Sequence, residues 1–508
     1  MRSFGRIILL GLGTLLWFGL GGEVLCRFQG DWRFDRLQLV ARPVTGTLPD
    51  RTIGTERALL TSVTYQAGVD PAWFFLPPAA LDKPSHPELV ARTKANPNAS
   101  GVENWVWNDA VLAKADPSTV SLIRGLKVDT LYAFHSFDGS AFPHFRLFPG
   151  NDFRPTPWVT NHWGWISPEV KFPKPPRTVR VGMIGDSTSH NLYGFYLQSF
   201  LDAWASHHGF DVHFEVMNAA RQGLGSEDGI ASLNYELSPM GLDYLYVYYA
   251  PSFSLNIGQM ALWGRFPAGV EAGKPDHPVA RIPSLAHRLL DPLAGVSALA
   301  RRMRDVTARE AADSILTEPD KPAVKLVIKP ATDPYFSYVT NQLHRIKAVT
   351  DRTQTHLIAS TERLCVWDGM GLNQGTNRHL FEVLNGPLFW PFSYRQLRQM
   401  LTLHNGAITA WAQSNGVTLV DIDGRMPRRP ELYADAHHDL PVSQRLRAWL
   451  IFQAMIPRLN ADLQAGRVPR DNGPKTASHP YLDKEIETFD RSQYLARIDA
   501  AAKATPEK

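Results

Sequence analysis

Short apolar runs alternate with longer amphipathic segments in the chain after residue 178. Each run is short enough for a strand buried on both faces, and the segments between them carry apolar residues at helical spacing. The predicted strands are VRVGMI (179–184), VHFEVM (212–217), YLYVYY (244–249), THLIAS (355–360) and VTLVDI (417–422). The predicted helices cover 192–208, 394–416 and 443–459. This alternation predicts an α/β fold with a doubly wound parallel sheet in three α/β/α layers.

Two stretches do not follow the alternation. Residues 28–176 are rich in proline, tryptophan and asparagine and lack a sustained helical period, so we predict an irregular or β-containing accessory region over 27–160. The interval 252–329 is predicted to be an insertion, and its charged, helix-like segment 301–316 is expected to be a solvated face. The sheet domain is predicted over 161–460, with a C-terminal tail over 461–508.

The amino end of the chain has the pattern of a membrane-targeting segment. Residues 7–22 carry no charge, and about 20 residues separate Arg6 from Arg27, which is enough for a helix to cross a bilayer. Arg2 and Arg6 are expected to keep residues 1–6 in the cytoplasm and to export everything after the segment. We favour an uncleaved single-pass anchor over 7–26 in the inner membrane. A cleaved signal peptide, which would give a secreted protein, is the alternative.

Composition and charge exclude several classes of protein. With 44% hydrophobic and 20% charged residues, the chain is neither disordered nor a polytopic membrane protein. The net charge is only +4, so no nucleic-acid partner is predicted. Cys26 and Cys365 are the only cysteines, which rules out a disulfide framework and a cysteine-based zinc site.

The sequence Gly185-Asp186-Ser187 directly follows the first predicted strand and precedes a helix. A serine there lies at the carboxyl end of a parallel strand, next to a helix amino terminus whose free N–H groups can stabilise developing negative charge. A nucleophile would be placed at this position. The alternative is a simple strand-to-helix turn that is capped by the aspartate or the serine.

Asp435 and His438 lie three positions apart in a predicted loop, about 250 residues after that serine. The carboxylate can orient the imidazole while the other ring nitrogen faces a serine. A serine hydroxyl needs such a base because it is a poor nucleophile until its proton is removed. A satisfied turn or a surface charge network is the alternative for this loop, and His437 is an alternative base if the loop register is shifted by one.

These blocks together resemble the SGNH/GDSL hydrolase superfamily over about 160–460. In that family a Gly-Asp-Ser block follows the first strand, a glycine follows the second, an asparagine follows the third, and Asp-x-x-His precedes the last helix. The matching segments are Gly185-Asp186-Ser187, NAARQG (218–223) and Asp435-Ala436-His437-His438. The segments NHWGW (161–165), PPRTVR (175–180) and EVLCR (23–27) are similar to those of membrane-anchored bacterial members.

The resemblance implies a catalytic triad. Ser187 would attack an ester carbonyl, His438 would act as general base and then as general acid, and Asp435 would hold the imidazole. The backbone N–H groups of Ser187 and Gly223 would donate to the oxyanion of the tetrahedral intermediate.

The asparagine block of the family is where this chain departs from the pattern. The segment after the third strand reads YAPSFSLN (249–256), so Ser252 occupies the position of the asparagine. A hydroxyl can donate one hydrogen bond but reaches less far than an amide. Asn256 is a second candidate for the third oxyanion donor, and the donor is missing if neither residue reaches the site.

The resemblance therefore implies an extracytoplasmic serine esterase without metal or organic cofactor. Its expected substrate is a small O-acyl ester, such as an acetyl group on a cell-envelope or extracellular polysaccharide. An O-acetyltransferase that uses the same serine is one alternative, and it would need a multi-spanning acyl-transfer membrane partner as its acyl source. The other alternative is a degenerate hydrolase fold that binds polysaccharide or acts in assembly.

Overall fold

The computed structural model describes most of the predicted sheet domain and several shorter segments. The described residues are 68–79, 105–106, 132–135, 144–147, 160–221, 226–248, 315–321, 334–373, 377–386, 389, 392–473, 476, 478–480 and 482. The chain divides into two units. The larger unit comprises Ile53–Gly269, Ala323–Trp367 and Phe392–Lys508, and the smaller one comprises Met1–Thr52, Val270–Pro322 and Asp368–Pro391.

Five parallel strands form the main sheet of the larger unit. They are β1 (Thr178–Gly185), β2 (His213–Asn218), β3 (Tyr244–Tyr248), β4 (His356–Ser360) and β5 (Thr418–Val420). Their order across the sheet is β5-β4-β3-β1-β2, and every neighbouring pair is parallel. The winding reverses between β1 and β3, and doubly wound sheets place their ligand sites at the carboxyl ends of such strands.

The main helices of the larger unit cover both faces of this sheet. They are α1 (Tyr193–His207), α2 (Ser226–Ser232), α3 (Pro334–Arg352), α4 (Tyr394–Ser414) and α5 (Pro441–Gln464). Helix α1 packs against α5, whereas α3 packs against α2 and α4. On β3, Val247 faces a cavity beside α3 and α4, while the next residue, Tyr248, has its ring 4.2 Å from the Arg447 guanidinium of α5. Because successive strand side chains alternate between faces, the two groups of helices lie on opposite faces.

The sheet is buried on both faces, as its apolar runs predict. All eight residues of β1 are buried, including the charged Arg180. Its guanidinium donates through Nε to Glu215 of β2 at 2.7 Å, so the charge is paired inside the fold. Between α1 and α5, the rings of Phe200 and Trp449 lie 5.0 Å apart in an edge-to-face contact. The predicted α/β class and parallel sheet are confirmed.

The ends of the predicted elements shift for local reasons. The last predicted strand, 417–422, ends at Val420 because Asp421 caps a short helix, Ile422–Arg425, by accepting the N–H of Gly424 at 2.9 Å. Helix α4 begins at the predicted residue, where Ser393 and Gln396 form a capping box. Helix α5 begins two residues earlier than predicted, at Pro441, because proline suits the first helical turn.

Helix α3 has no counterpart among the predicted elements. Its buried apolar residues nevertheless recur at helical spacing: Phe336, Val339, Leu343, Ile346 and Val349. The segment directly follows the predicted insertion and has the charged and polar exposed face of a surface helix.

The other described elements are short. In the larger unit they are the 3-10 helices Pro71–Phe75, Ser238–Met240 and Pro430–Leu432, the π-helix Leu233–Leu237, and the strands Trp105–Val106, Tyr132–His135 and His144–Leu147. In the smaller unit they are the helix Arg378–Leu384 and the antiparallel strands Ile315–Leu316 and Leu372–Asn373. The end of the helix-like segment 301–316 is therefore extended, because Ile315–Leu316 pairs with another strand.

The predicted membrane segment 7–26 lies outside the described residues. Of the helices that the structure describes, none has the length and apolar character needed to cross a bilayer.

Candidate active site

A tight turn at the end of β1 presents Ser187. Strand β1 ends at Gly185, which pairs in register with Tyr248 of β3. A Cβ atom on Gly185 would lie 2.3 Å from the backbone oxygen of Tyr248 and 2.7 Å from the hydroxyl of Ser189. Any larger residue would push these segments apart, so glycine is required where the chain turns from the sheet toward α1.

Asp186 shapes this turn and faces inward. Its Oδ1 accepts hydrogen bonds from the backbone N–H and the hydroxyl of Thr188, both at 2.8 Å. Its backbone oxygen accepts the N–H groups of Ser189 and His190, each at 2.9 Å. Burial raises the pKa of Asp186 well above its ordinary value, in spite of the bonds from Thr188. Ser187, by contrast, is only half-buried and remains accessible.

The Asp435–His438 loop is closed by backbone hydrogen bonds. Tyr433 and Asp439 form an isolated antiparallel bridge, and the N–H of Ala434 donates to the oxygen of His438 at 2.8 Å. Inside the loop, Asp435 Oδ1 accepts the backbone N–H groups of His437 and His438, each at 2.9 Å. These bonds fix the carboxylate relative to the loop that carries it.

The fold brings Ser187, His438 and Asp435 into one hydrogen-bonded series. His438 Nε2 lies 2.8 Å from Ser187 Oγ, and His438 Nδ1 lies 2.5 Å from Asp435 Oδ2. The side chains of His438 and Asp435 are 27% and 31% exposed, so the series borders solvent. In this arrangement the imidazole can accept the serine proton at one nitrogen while the carboxylate holds the other.

Hydrogen bonding keeps Asp435 ionised. Partial burial alone would raise the pKa of Asp435, but the hydrogen bond from His438 and the electrostatic interactions with His437 and His438 outweigh it. The pKa of Asp435 is therefore held below its ordinary value. An ionised carboxylate at this place stabilises positive charge on the imidazole when it takes up a proton.

His437 occupies a different position from His438. Its Nδ1 lies 3.7 Å from Asp435 Oδ1, and its ring lies 4.2 Å from the His438 ring. Burial and the nearby His438 lower the pKa of His437 to about 4, which keeps it neutral near pH 7. The hydrogen bond to Ser187 comes from His438. Ligand atoms of Asp435, His437 and His438 all lie within 4.8 Å of one another, so a metal ion there would compete with the series.

A buried charge network that the sequence did not reveal joins the two loops. Asp439, directly after His438, accepts hydrogen bonds from the Tyr193 hydroxyl at 2.8 Å and the Ser443 hydroxyl at 2.7 Å. It is also ion-paired with Arg447, which in turn donates to the backbone oxygen of Thr188 at 3.2 Å. Arg447 therefore links the residue after His438 to the residue after Ser187.

One sequence signal could have pointed to this network. Arg447 interrupts an otherwise apolar run, LRAWLIF (446–452), on the last helix. A charged residue in the middle of a buried helical run is expected only where it has a partner. The identity of that partner depends on contacts that the spacing along the chain does not show.

Asn218 and Arg221 belong to the second block of the family pattern, and both are hydrogen-bonded to the turn that carries Ser187. Asn218, at the end of β2, donates through its amide to the backbone oxygens of Ser189 at 2.7 Å and Asn191 at 3.0 Å. The N–H of Arg221 donates to the backbone oxygen of Gly185 at 3.2 Å. The predicted oxyanion residues Gly223, Ser252 and Asn256 lie outside the described residues, so their roles stay predictions.

The chain is similar to several proteins whose structures have been solved. No protein-family model and no curated protein sequence matches the chain. One similar structure is a GDSL-like lipase from Bacteroides thetaiotaomicron, with 9% identity over 55% of this chain and 88% of the lipase, at a TM-score of 0.28. Another is a putative SGNH hydrolase from Slackia heliotrinireducens, with 12% identity over 55% of this chain and 99% of the hydrolase, at a TM-score of 0.28.

An acetylxylan esterase from Geobacillus stearothermophilus is also similar in structure. It shares 10% identity over 54% of this chain and 94% of the esterase, at a TM-score of 0.30. The function proposed below rests on the geometry of Ser187, His438 and Asp435 in this chain.

Proposed function

We propose that the protein is a serine esterase of the SGNH type, with Ser187 as nucleophile, His438 as general base and acid, and Asp435 as the group that holds the imidazole. The observation that carries this proposal is the unbroken series of hydrogen bonds from Ser187 through His438 to Asp435. These three residues come from two loops about 250 positions apart, and the series has the order that nucleophilic catalysis requires.

The first step follows from this geometry. As the Ser187 oxygen attacks the ester carbonyl, its proton passes to His438 Nε2, and the ionised Asp435 stabilises the resulting imidazolium. The tetrahedral intermediate then collapses, and His438 returns the proton to the departing alcohol. Water, activated by the same imidazole, hydrolyses the acyl-enzyme and regenerates the Ser187 hydroxyl.

The backbone N–H of Ser187 is the first candidate donor for the oxyanion. Among the described residues, nothing accepts a hydrogen bond from it, and it lies at the turn between β1 and α1. Gly223 is the second proposed donor, with Ser252 or Asn256 as the third. Loss of one such donor typically costs on the order of a hundredfold or more in rate.

The substrate part of the proposal is a small O-acyl ester, with acetyl as the acyl group and a cell-envelope or extracellular polysaccharide as the carrier. It is supported by the half-buried nucleophile and by the targeting pattern over 7–26. Export can be tested by fusing a periplasmic reporter enzyme after residue 27. Reporter activity would support an extracytoplasmic domain, and reporter activity confined to the cytoplasm would contradict it.

Hydrolysis of a small aryl acetate by the full-length protein tests the chemistry. We expect acetate release that Ser187→Ala reduces by on the order of 10³-fold or more. Ser206→Ala, which removes an exposed hydroxyl from α1, is the matched control and should keep the parent rate. Activity that survives in Ser187→Ala would remove the nucleophile assignment, and a folded but inactive parent protein would contradict the esterase proposal.

A further inference from the structure

A buried segment that follows β4 contacts the loop that carries Asp435 and His438 at several places. The segment consists of Arg363, Leu364 and Cys365, all of which are buried, and it begins three residues after the end of β4. The loop comprises residues 433–439, and we call it the His438 loop. The contacts reach its beginning, its middle and its end.

Arg363 contacts both ends of the His438 loop. Its guanidinium lies 4.0 Å from the centre of the Tyr433 ring, and its Nη1 donates to Asp439 Oδ1 at 3.3 Å. Tyr433 and Asp439 are the two residues of the isolated bridge that closes the loop. A single guanidinium therefore touches the first and the last residue of the loop.

The Arg363 guanidinium is itself fixed from outside the loop. Its Nη1 donates to the Ser443 hydroxyl of α5 at 3.0 Å, and its Nη2 donates to the backbone oxygen of Pro427 at 3.1 Å. The backbone N–H of Arg363 donates to the Tyr248 hydroxyl of β3 at 3.2 Å. Because a guanidinium presents its N–H groups in fixed directions within one plane, these partners define its orientation.

Leu364 and Cys365 add backbone contacts to the loop. The Tyr433 hydroxyl donates to the oxygen of Leu364 at 3.1 Å, and the N–H of Cys365 donates to the oxygen of Ala436 at 2.7 Å. Ala436 directly follows Asp435, so this bond lies beside the carboxylate that holds His438. Burial raises the pKa of the Cys365 thiol to about 12, which keeps the thiol protonated near pH 7.

We propose that Arg363 is a positioning residue of the triad, which fixes both ends of the His438 loop so that His438 stays within hydrogen-bond distance of Ser187. Its effect on rate rests on the proposed esterase function, whereas its effect on the hydrogen bond between His438 and Asp435 does not. The hydrogen bonds of Arg363 to described residues go to none of the three triad residues, so it acts through the loop.

Arg363 has a different task from Arg447. Asp439 pairs with Arg363 through Oδ1 and with Arg447 through Oδ2. Arg447 connects the end of the loop to Thr188 in the nucleophile turn, whereas Arg363 connects that end to Tyr433 at the start of the loop. Loss of Arg363 would therefore allow the loop to change shape, and a displacement of about 1 Å at a reacting group can cost about 100-fold in rate.

Direct contact of Arg363 with a substrate is a poorer explanation of its position. Its side chain is only 4% exposed, and its guanidinium is directed at protein groups and at an aromatic ring. A purely structural role makes a different prediction. It would lower the unfolding midpoint without changing the rate of the folded protein.

A matched pair of arginine-to-lysine variants tests the proposal. Arg363 and Arg180 are both buried and ion-paired, but Arg180 lies on β1 and pairs with Glu215 of β2. Lysine keeps the charge and lacks the planar fork of N–H groups. In aryl acetate hydrolysis below the unfolding midpoints, Arg363→Lys should lower kcat by about tenfold and change KM by less than about threefold. Arg180→Lys should keep both constants, and Arg363→Met should lower kcat by on the order of 100-fold.

A proton NMR measurement gives a readout that a merely structural role would not change. The short hydrogen bond from His438 Nδ1 to Asp435 should give a low-field proton resonance in the full-length parent, which Asp435→Asn identifies by removing it. We expect Arg363→Lys to shift or broaden this resonance and Arg180→Lys to leave it unchanged. An Arg363→Lys variant with the parent kcat and the parent resonance would overturn the proposal, even if its unfolding midpoint is lower.

Failure of the esterase function can be told apart from failure of the positioning role. If the folded parent hydrolyses no ester, the esterase function fails, and the low-field resonance in Arg363→Lys decides the positioning role alone. If that inactive parent also lacks the resonance, both proposals fail, because the loop then does not hold His438 against Asp435. If Arg363→Met does not fold, the comparison of the two lysine variants stands without it.

Discussion

Two carboxylate–histidine pairs lie near the carboxyl edge of the same sheet, and their environments differ sharply. Asp435 and His438 are 2.5 Å apart and about 30% exposed, and Asp435 also accepts two backbone N–H groups. Glu362 and His404 are 3.3 Å apart and almost fully buried, and the carboxylate accepts no hydrogen bond among the described residues. The pKa of Asp435 is lowered, whereas burial raises that of Glu362.

The comparison shows that a histidine neighbour does not by itself decide the charge of a carboxylate. Donors that are aimed at the carboxylate stabilise its ionised form, and desolvation destabilises it. The loop around Asp435 supplies three donors and partial contact with water, so the carboxylate can support an imidazolium. Asn405 anchors the backbone of Glu362 and not its side chain, so desolvation dominates the pKa of this carboxyl group.

The largest expected effect comes from substituting either member of the Asp435–His438 pair. His438→Ala removes the base, and Asp435→Asn removes the negative charge that stabilises the imidazolium, so each should lower kcat by on the order of 10⁴-fold. Aryl acetate hydrolysis would measure this, with far-ultraviolet circular dichroism to show that the fold is kept. His379→Ala, which changes a histidine outside the larger unit, is the control. A loss of less than tenfold in His438→Ala would contradict the role of His438.

The second-largest expected effect comes from replacing Arg447, which affects both carboxylate–histidine pairs. It is ion-paired with Asp439, next to His438, and its positive charge also acts on Glu362. Arg447→Met removes one of the two guanidinium groups that pair with the buried Asp439, the other being Arg363, and it detaches the His438 loop from Thr188. Loss of such a buried, charged hydrogen-bonding partner typically costs about 1 to 3 kcal/mol. We expect a lower unfolding midpoint in urea together with a lower kcat.

Arg458→Ala on the same helix is the control for Arg447. Its pair with Asp462 is half-exposed on the Arg458 side, so the substitution should cost about 1 kcal/mol or less. An Arg447→Met variant as stable as Arg458→Ala would show that the buried network does not hold the two loops together.

The main sheet was predictable because strands that are buried on both faces appear in a sequence as continuous apolar runs. Helix α3 escaped prediction although its apolar spacing is helical, because it follows a segment without clear alternation. The strand ending at Val420 was predicted two residues too long because Asp421, which looks like part of an alternating run, caps a new helix.

The candidate site was predictable where its chemistry is local and not where it depends on distant contacts. Ser187 is identified by the strand before it, and Asp435 and His438 by their spacing. Asp439 and Arg447 lie in the same stretch of sequence, but their importance depends on Tyr193 and Thr188, which are more than 240 residues away along the chain. The pairing of Glu362 with His404 likewise joins a loop and a helix that no motif connects.

The smallest expected effect is on the pH dependence of stability, and it has opposite signs for the two acids. Asp435 has a folded pKa below its ordinary value of 3.8, so it stabilises the fold above that pH, and this contribution is lost as the pH falls through the folded pKa. Glu362 has a folded pKa above its ordinary value of 4.5, so the folded state binds its proton more tightly and the carboxyl costs stability as the pH rises above that value.

Urea unfolding at several pH values would test these signs. Relative to the parent, Glu362→Met should gain stability as the pH rises above 4.5, and this relative gain should vanish as the pH falls toward 4.5. Asp435→Asn should be less stable than the parent near pH 7, with a deficit that shrinks below pH 3.8. Glu431→Met, at an exposed position, should follow the parent throughout. If the Glu362→Met and parent curves stay parallel, the buried carboxyl is not held above its ordinary pKa, and the contrast between the two pairs fails.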